Sequence, residues 1–169
     1  MFGIDGGISA VIIGARNGVG AQFTKMISAS PENRVVSTSR DARWTAEQTV
    51  TSAVIRMCVD LSSEASVTAF GKRLSNMDFS PNLVINCSGL LHAESIQPER
   101  TWRGLNQASM SEVFAVNTIG VGLLIRELMP LMPRRGRAVF ASLSARVGSI
   151  GDNRLGGWYS YRASKAAQN

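Results

Sequence analysis

The chain has 169 residues, of which 44% are hydrophobic and 18% charged, a composition that favours a globular protein with one sizeable core. Its net charge is +6, which is typical of proteins that meet an anion, but the basic residues do not run together. The densest cluster, residues 134–137, follows a proline and is predicted to be a loop, so nucleic acid is not an expected partner.

The cysteine and histidine content argues against a metal site and against a disulfide-bonded secreted protein. Cys58 and Cys87 each lie in an apolar run, which predicts two buried free thiols in a reducing compartment. His92 is the only histidine, so too few ligands are present for a metal, and packing explains these residues better than a catalytic Cys–His pair. The apolar stretch at residues 8–15 is too short to span a bilayer, and no other segment is expected to do so. We expect a soluble, cytoplasmic protein with no membrane partner.

The first half of the chain alternates predicted strands with predicted helices. An apolar run without alternation, SAVII, suits a strand buried on both faces, as in a parallel sheet. Ser62 is predicted to cap the second of the longer helices, with Glu64 in its first turn. Strands are predicted at residues 9–13, 34–39 and 53–59, and helices at 21–28 and 63–76, with a polar loop and a short helix between the second and third strands.

The second half continues the alternation. Strands are predicted at residues 83–86 and 138–143, a long helix at 110–129, and a final helix from about Trp158. Strands that alternate with helices in this way predict a parallel sheet with helices on both faces. We find no internal repeat and no linker, so residues 1–169 are predicted to form one domain.

A glycine-rich turn, GARNGVG, lies between the first predicted strand and the first helix. Glycine allows a positive φ and a close backbone approach, and a helix N-terminus offers free N–H groups to an anion. Gly14, Gly18 and Gly20 are therefore candidates for a phosphate-binding turn. A tight turn without a ligand is the plainer alternative.

The spacing G-x-x-x-G-x-G resembles that of the short-chain dehydrogenase/reductase family, with Ile13 where the family usually has threonine. Further landmarks of the family follow in the same order over essentially the whole chain, and the stretch GSIGDNRLGGWYSYRASKAA resembles its C-factor-like branch. These landmarks are Asp60 after the third strand, Asn86-Cys87-Ser88-Gly89 after the fourth, Asn117 in the long helix, and Tyr161 with Lys165 in the final helix.

The resemblance implies an α/β fold, a Rossmann-like doubly wound parallel sheet in three α/β/α layers that binds a dinucleotide. Family members continue with two more strands and a substrate-binding segment, so the domain is expected to be C-terminally incomplete, as a shortened homologue, a fragment or a partial sequence. Implied cofactor contacts are Gly14, Arg16, Asn17, Gly18, Val19, Gly20, Arg40, Asp60, Leu61, Asn86, Ser88, Gly89, Tyr161 and Lys165.

Tyr161, and not Tyr159, has a lysine at position i+4, which places both side chains on one helix face. A free tyrosine has a pKa of about 10, and a nearby ammonium is expected to lower the pKa towards the operating pH. The resemblance implies that Tyr161 exchanges a proton with a carbonyl or alcohol oxygen and that Lys165 also holds the cofactor ribose. Without the other landmarks, a tyrosine and a lysine at this spacing would indicate only the edge of an amphipathic helix.

The other two implied catalytic residues are Ser144 and Asn117. Counting back three residues from Gly148, where the family has its catalytic serine, reaches Ala145. Either the strand end is bulged and Ser144 supplies the hydroxyl, which we predict, or the site lacks its usual serine. Asn117 would hold a water next to Lys165 in a kinked helix, and an asparagine amid apolar residues needs a partner in any case.

The end of the second strand indicates the cofactor. NAD-binding folds place an acid there, whereas this chain has Ser39 followed by Arg40, and a guanidinium suits a 2′-phosphate. Arg16 is placed to assist, and Asp41 is the feature that weakens the argument. NADP is favoured over NAD.

The sequence as a whole predicts an NADP-dependent oxidoreductase that acts on a small-molecule carbonyl or alcohol, as a homodimer or homotetramer. A non-catalytic dinucleotide-binding module is the alternative, supported by the short chain and by Ala145. Nucleic-acid binding ranks behind both.

Overall fold

A five-stranded, wholly parallel sheet forms the centre of the fold, in the order β3-β2-β1-β4-β5. The structure, a computed structural model, describes residues 6–47 and 53–169. The predicted sheet is confirmed, and β3 and β5 are each one residue shorter at each end than expected. Its strands are β1 (Ser9–Ile13), β2 (Arg34–Ser39), β3 (Val54–Cys58), β4 (Leu83–Asn86) and β5 (Val139–Ser142).

The predicted helices are all present, but the long one is not uniform. It is interrupted by a π-helical segment, Ala115–Ile119, and ends in a 3-10 turn, Met129–Leu131. Short 3-10 turns also occur at Trp102–Gly104 and Arg146–Gly148. The α-helices are α1 (Gly18–Ile27), α2 (Ala42–Ala46), α3 (Glu64–Asn76), α4 (Gln107–Phe114), α5 (Gly120–Leu128) and α6 (Tyr159–Gln168).

Helices cover both faces of the sheet, which confirms the Rossmann-like three-layer fold. On one face, Phe70 of α3 and Leu124 of α5 are buried in a cluster with strand residues such as Val36. On the other face, Ile27 of α1 is buried against Ile12 and its neighbours. Burial on both sides explains why the central strands are continuously apolar instead of alternating.

The strand order reverses at β1, which lies between β2 and β4. The chain builds outward from β1 to β3 and then crosses to β4 and β5 on the other side. In sheets of this kind the crevice at the carboxyl ends of the strands, next to the reversal, is where ligands bind.

The cap of α3 differs by one residue from the prediction. Ser63, and not Ser62, is the N-cap, and its hydroxyl accepts a hydrogen bond from the Ser66 N–H. Ser62 instead donates its hydroxyl proton to Asp60 Oδ1 at 2.7 Å. The sequence has two adjacent serines that could cap the helix. Because Ser62 is bonded to Asp60, Ser63 is the one that caps it.

One helical run, Gln107–Leu131, is long and apolar enough to cross a membrane by length and composition alone. This corrects the expectation that no segment reaches that length, which the charges of Glu112 and Arg126 within the run had favoured. In the fold its α5 portion packs against α3, and its Asn117 bonds to α6, as in the core helix of a layered domain.

Candidate active site

The glycine turn after β1 brings the backbone close to the loop after β4. Gly14 has φ +76°, and a Cβ added there would lie 3.1 Å from the Ser88 backbone nitrogen. A Cβ on Gly20 would lie 2.3 Å from the Gly14 carbonyl oxygen. Only glycine fits either position without a backbone shift, so the turn is as tight as its sequence predicts.

The start of α1 is open towards solvent. Asn17 is the N-cap in extended conformation, and its side chain makes no capping hydrogen bond. Gly18 has φ +57° with no atom within 4 Å of an added Cβ, and Val19 is exposed. The backbone N–H groups of this first turn have no intrahelical partner, so the arrangement suits an anion such as a phosphate.

A cleft of about 650 Å³ lies at the carboxyl ends of the strands, beside β1 and β4. Most of the cofactor residues implied by the sequence line it. They are Gly14, Arg16, Asn17, Arg40, Asp60, Leu61, Ser88 and Gly89. Gly18, Val19 and Gly20 form the helix start beside it, whereas Asn86 is fully buried behind it.

The β2 end of the cleft carries one paired and one unpaired arginine. Arg16 Nη1 lies 2.6 Å from Asp41 Oδ2, and Asp41 Oδ1 accepts hydrogen bonds from the Arg43 and Trp44 backbone N–H groups at the start of α2. These backbone bonds are the main reason why the pKa of Asp41 is lowered. Arg40 is exposed, and within the described ranges its guanidinium has no hydrogen-bond or ion-pair partner.

The β3 and β4 ends present polar groups that are ordered by their own loops. Asp60 Oδ1 accepts from the Ser62 N–H at 2.9 Å, which fixes the carboxylate at the cleft wall. Asn86 Oδ1 accepts from the Ser88 N–H at 3.1 Å and from its hydroxyl at 2.5 Å, while Asn86 Nδ2 donates to Ser142 Oγ. Asn86 therefore shapes the loop and does not face the cleft.

Several lining residues were not predicted as site residues, among them Ser39, Cys87 and His92. Cys87 is half-buried at the cleft, and burial raises the pKa of its thiol. Ser39 ends β2 and Cys87 directly follows β4, so the rule that ligands meet carboxyl ends of strands would have found these two, whereas His92 lies further along the loop after β4. Cys58, predicted to be buried, is exposed, because β3 is an edge strand of the sheet.

Tyr161 and Lys165 lie one turn apart on α6, as predicted, with the Lys165 ammonium 5.9 Å from the Tyr161 ring centroid. The ammonium is buried and donates to the Leu143 carbonyl oxygen at 2.9 Å and to Gln168 Oε1 at 2.8 Å. A Cβ added to Gly89 would lie 3.6 Å from Lys165 Nζ. Gly89 thus lies between the cleft and the lysine, although neither Tyr161 nor Lys165 lines the cleft itself.

The expected direction of the tyrosine shift is wrong in this structure. Burial raises the pKa of Tyr161 above its ordinary value, and burial lowers the pKa of Lys165. The Lys165 ammonium donates its hydrogen bonds to Leu143 and Gln168, and none to the Tyr161 hydroxyl is present among the described residues. Here desolvation outweighs charge proximity for both groups.

Asn117 is buried in the π-helical segment and is fully hydrogen-bonded. Its Oδ1 accepts from the Leu90 N–H at 2.7 Å, and its Nδ2 donates to the Leu90 carbonyl oxygen and to Ser164 Oγ. The irregular helix expected from the resemblance is present. Asn117 links the loop after β4 to α6, two elements that carry other candidate residues.

Ser144 is exposed in the loop after β5, and the part of the chain that the structure describes records no hydrogen bond from its hydroxyl. Ala145 is extended, with φ −142° and ψ 145°, and leads directly into the 3-10 turn. The neighbouring Ser142 accepts from Asn86 Nδ2 and Gln168 Nε2. No described contact brings Ser144 to Tyr161, so its catalytic role stays a prediction.

Comparisons with known proteins agree with this geometry. The model of the short chain dehydrogenase family matches residues 9–169. The 1-hydroxy-2-glutathionyl-2-methyl-3-butene dehydrogenase of Rhodococcus sp. (strain AD45) is 27% identical over 161 residues, which are 95% of this chain and 66% of that protein. The chain therefore spans just under two thirds of this curated relative.

Two solved structures illustrate the likeness of fold. The putative carbonyl reductase Sniffer of Caenorhabditis elegans superposes with a TM-score of 0.81 and 25% identity, over 96% of this chain and 74% of that one. The NADPH-bound carbonyl reductase from chicken fatty liver superposes with a TM-score of 0.78 and 24% identity, over 98% and 69%. With its matching family model, its parallel sheet and its glycine turn, the chain belongs to the short-chain dehydrogenase/reductase family.

Proposed function

We propose that this chain is the dinucleotide-binding part of an NADP-dependent oxidoreductase that interconverts a small carbonyl compound and its alcohol. The observation that carries the proposal is the join at Gly89. The cleft at the carboxyl ends of β1 and β4 and the buried Lys165 ammonium meet at this residue, across a gap that a single methyl group would fill. A ligand that extends along the cleft reaches the Tyr161–Lys165 pair there.

The cleft fits a dinucleotide. The open first turn of α1 suits its pyrophosphate, and the fixed Asp60 carboxylate suits the adenine end. When bound, the nicotinamide would supply or accept a hydride. Gly18 leaves room for the phosphate, because no atom lies within 4 Å of its added Cβ.

NADP is preferred to NAD because of the charges at the β2 end. An NAD site needs a free carboxylate for the ribose hydroxyls, but Asp41 is engaged by Arg16 and by the start of α2. Arg40 is the guanidinium left for a 2′-phosphate. NADP- or NADPH-bound relatives of the same fold support this choice.

The residues of α6 would move the proton. Tyr161 donates its phenolic proton to the carbonyl oxygen as the carbon is reduced, or accepts the alcohol proton in the reverse direction. Lys165 would bind the ribose of the cofactor. With the cofactor bound, its positive charge would favour the phenolate form of Tyr161. Asn117 keeps α6 in register with the loop after β4 through its three hydrogen bonds, and Ser144 is the proposed hydroxyl partner of the substrate oxygen.

Cofactor choice is tested by fluorescence titration with NADPH and NADH. We expect tighter binding of NADPH, and we expect Arg40→Asp to reverse the order. Arg43→Asp is a matched control, because Arg43 lies three residues away and does not line the cleft. Equal affinities for the two cofactors in the unmutated chain would overturn the NADP assignment.

Catalysis is tested by the consumption of NADPH with a panel of ketones and aldehydes. Tyr161→Phe should abolish turnover and leave NADPH affinity nearly unchanged, because phenylalanine keeps the ring and deletes only the proton. Tyr159→Phe is the control two residues away. NADPH binding without turnover of any carbonyl would favour the alternative, a non-catalytic dinucleotide-binding module. Ala145, which stands where the family has its catalytic serine, is consistent with that alternative. A homodimer or homotetramer stays a prediction.

A further inference from the structure

We propose that Gln168 is a positioning residue that fixes the Lys165 ammonium at the edge of the cofactor cleft. It lies in the last turn of α6, three residues after Lys165, and its side chain makes hydrogen bonds in two directions. Any role of Gln168 in catalysis rests on the proposed function, whereas its hydrogen bonds and its effect on the pKa of Lys165 do not.

The carbonyl oxygen of the Gln168 amide holds the lysine. Gln168 Oε1 accepts from Lys165 Nζ at 2.8 Å, and the Leu143 carbonyl oxygen accepts from the same ammonium at 2.9 Å. An ammonium has three donors, so these two acceptors leave one N–H. The ammonium nitrogen itself lies beside Gly89, at the wall of the cleft, 3.6 Å from where an added Cβ would be.

The amide nitrogen of Gln168 is anchored to β5. Gln168 Nε2 donates to Ser142 Oγ at 2.9 Å and to the Leu143 carbonyl oxygen at 3.3 Å. Ser142 Oγ also accepts from Asn86 Nδ2 at 2.9 Å. The orientation of the Gln168 amide is thereby set, because its nitrogen has acceptors and its oxygen has a donor.

This anchoring ties Lys165 to the loop that lines the cleft. Asn86 Oδ1 accepts from the Ser88 N–H and hydroxyl, so an unbroken series of hydrogen bonds runs from Ser88 through Asn86, Ser142 and Gln168 to Lys165. Ser88 is a cleft residue. The lysine is therefore held by the same framework that shapes the cofactor site.

The charge of Lys165 has little other support. Its stem is covered by the 3-10 turn, where a Cβ on Gly148 would lie 2.9 Å from Lys165 Cβ. Tyr161 on α6 is the titratable group that faces it, at 5.9 Å from the ring centroid, and in the described ranges no carboxylate pairs with it. Burial lowers the pKa of Lys165, so each neutral acceptor counts.

The test is the pKa of Lys165, read from the side-chain carbon resonances of lysine-labelled protein during a pH titration. The sequence has Lys25, Lys72 and Lys165 as its lysines, so each resonance is assigned by a single Lys→Arg variant. Gln168→Met removes the acceptor at similar length and should lower the pKa of Lys165 by about one unit, the value of one hydrogen bond to a charged group.

Gln168→Glu restores the acceptor as a carboxylate and should raise the pKa of Lys165 above that of the unmutated chain. Gln107→Met is the matched control at an exposed helix position and should leave it unchanged. A side chain that only packs the helix end would shift the pKa in the same direction in both Gln168 variants, or not at all. Either result overturns the proposal.

Cofactor affinity separates this inference from the proposed function. If both are right, Gln168→Met weakens NADPH binding several-fold and Gln168→Glu binds more tightly than Gln168→Met. If the pKa of Lys165 shifts as expected while NADPH does not bind the unmutated chain, the positioning role stands and the proposed function fails. If NADPH binds but the pKa of Lys165 is the same in all variants, the positioning role fails alone.

Discussion

At the scale of single residues, two glycines of the turn after β1 meet different structural requirements. Gly20 has no room for a side chain, because its added Cβ would lie 2.3 Å from the Gly14 carbonyl oxygen. Gly18 has room, with nothing within 4 Å, and needs only a backbone that tolerates φ +57°. Gly20 is therefore required by the fold, whereas the space at Gly18 is available to a ligand.

We predict that Gly18→Asn abolishes NADPH binding and lowers the free energy of unfolding by less than about 1 kcal/mol. Asparagine tolerates a left-handed backbone, so the variant adds a side chain at the phosphate position with little strain. Fluorescence titration and urea unfolding measure the two effects.

Gly136→Asn is the control for this variant. Gly136 also has a positive φ, +82°, with nothing within 4 Å of its added Cβ, and it lies in the loop before β5. The same substitution there should leave NADPH affinity unchanged. Undiminished NADPH binding by Gly18→Asn would show that the start of α1 is not the phosphate site.

Asn117 is a second residue whose role the structure sharpens. We predict that Asn117→Asp lowers the free energy of unfolding by about 2–4 kcal/mol at neutral pH, because a buried carboxylate would lose the two bonds that the amide donates to Leu90 and Ser164. The loss should shrink as the pH falls and the new carboxyl group takes up a proton. Asn153→Asp, at an exposed position, is the control for urea unfolding. Equal stability of the two variants at neutral pH would contradict the structural role of Asn117.

At the scale of elements, the strands were the best predicted feature. Buried strands of a parallel sheet are continuously apolar, and runs such as Ser9–Ile13 are bounded by glycine or polar residues that mark their ends. Details that depend on distant partners were not predictable. The irregular helix at Asn117 was expected from the family resemblance, but its bond to Leu90 was not, because nothing within the helix sequence encodes that partner.

The candidate site also has features that the sequence predicts and features that depend on distant partners. The proposed cofactor residues follow strands, so the sequence places most of them at one edge of the sheet. The Lys165 ammonium donates to the oxygens of Leu143 and Gln168, two residues that no motif marks. The sequence therefore identified the pair Tyr161 and Lys165 but not the direction in which burial shifts the pKa of each.

The start of α6 depends on a residue from another segment. Trp158, the N-cap, is left-handed with φ 52° and its side chain makes no capping bond. The buried Glu99 takes that role, since its carboxylate accepts from the backbone N–H and the hydroxyl of Ser160, and its backbone oxygen accepts from the Trp158 N–H at 2.6 Å. A negative charge at a helix N-terminus is stabilising. Here the Glu99 carboxylate binds Ser160, the residue immediately before Tyr161.

We predict that Glu99→Ala lowers the free energy of unfolding by about 2–3 kcal/mol, through the lost cap and the unpaired N–H of Ser160. Ser160→Ala should cost less, because the backbone bond to Glu99 remains. The double variant should be less destabilised than the sum of the two, as expected for residues in one network. Glu94→Ala, exposed in the same segment, is the control in urea unfolding. Additive losses would mean that Glu99 and Ser160 act separately.

At the scale of the whole molecule, burial of Tyr161 and Lys165 on α6 makes the free energy of unfolding change with pH in the alkaline range. The folded-state pKa of Lys165 is lowered from 10.5, so between that lowered pKa and 10.5 the unfolded chain binds more protons and the free energy of unfolding rises with pH. The folded-state pKa of Tyr161 is raised from 10.0, so above about pH 10 the folded chain binds more protons and the free energy of unfolding falls. Cys87, whose pKa is raised from 9.0, acts in the same direction as Tyr161.

Lys165→Met isolates the first of these contributions, since the tyrosine and the thiol are present in both proteins and cancel in the difference. We predict that the stability of Lys165→Met relative to the unmutated chain is greatest at neutral pH and declines as the pH approaches 10.5, with a slope of at most about 1.4 kcal/mol per pH unit. Urea unfolding across this range, with a reductant to keep the cysteines free, measures the difference. Lys72→Met, at an exposed position of α3, should show no such decline. A constant difference between the unmutated chain and Lys165→Met would mean that Lys165 ionises alike in the folded and unfolded chains, and that burial of its ammonium has no energetic cost for the fold.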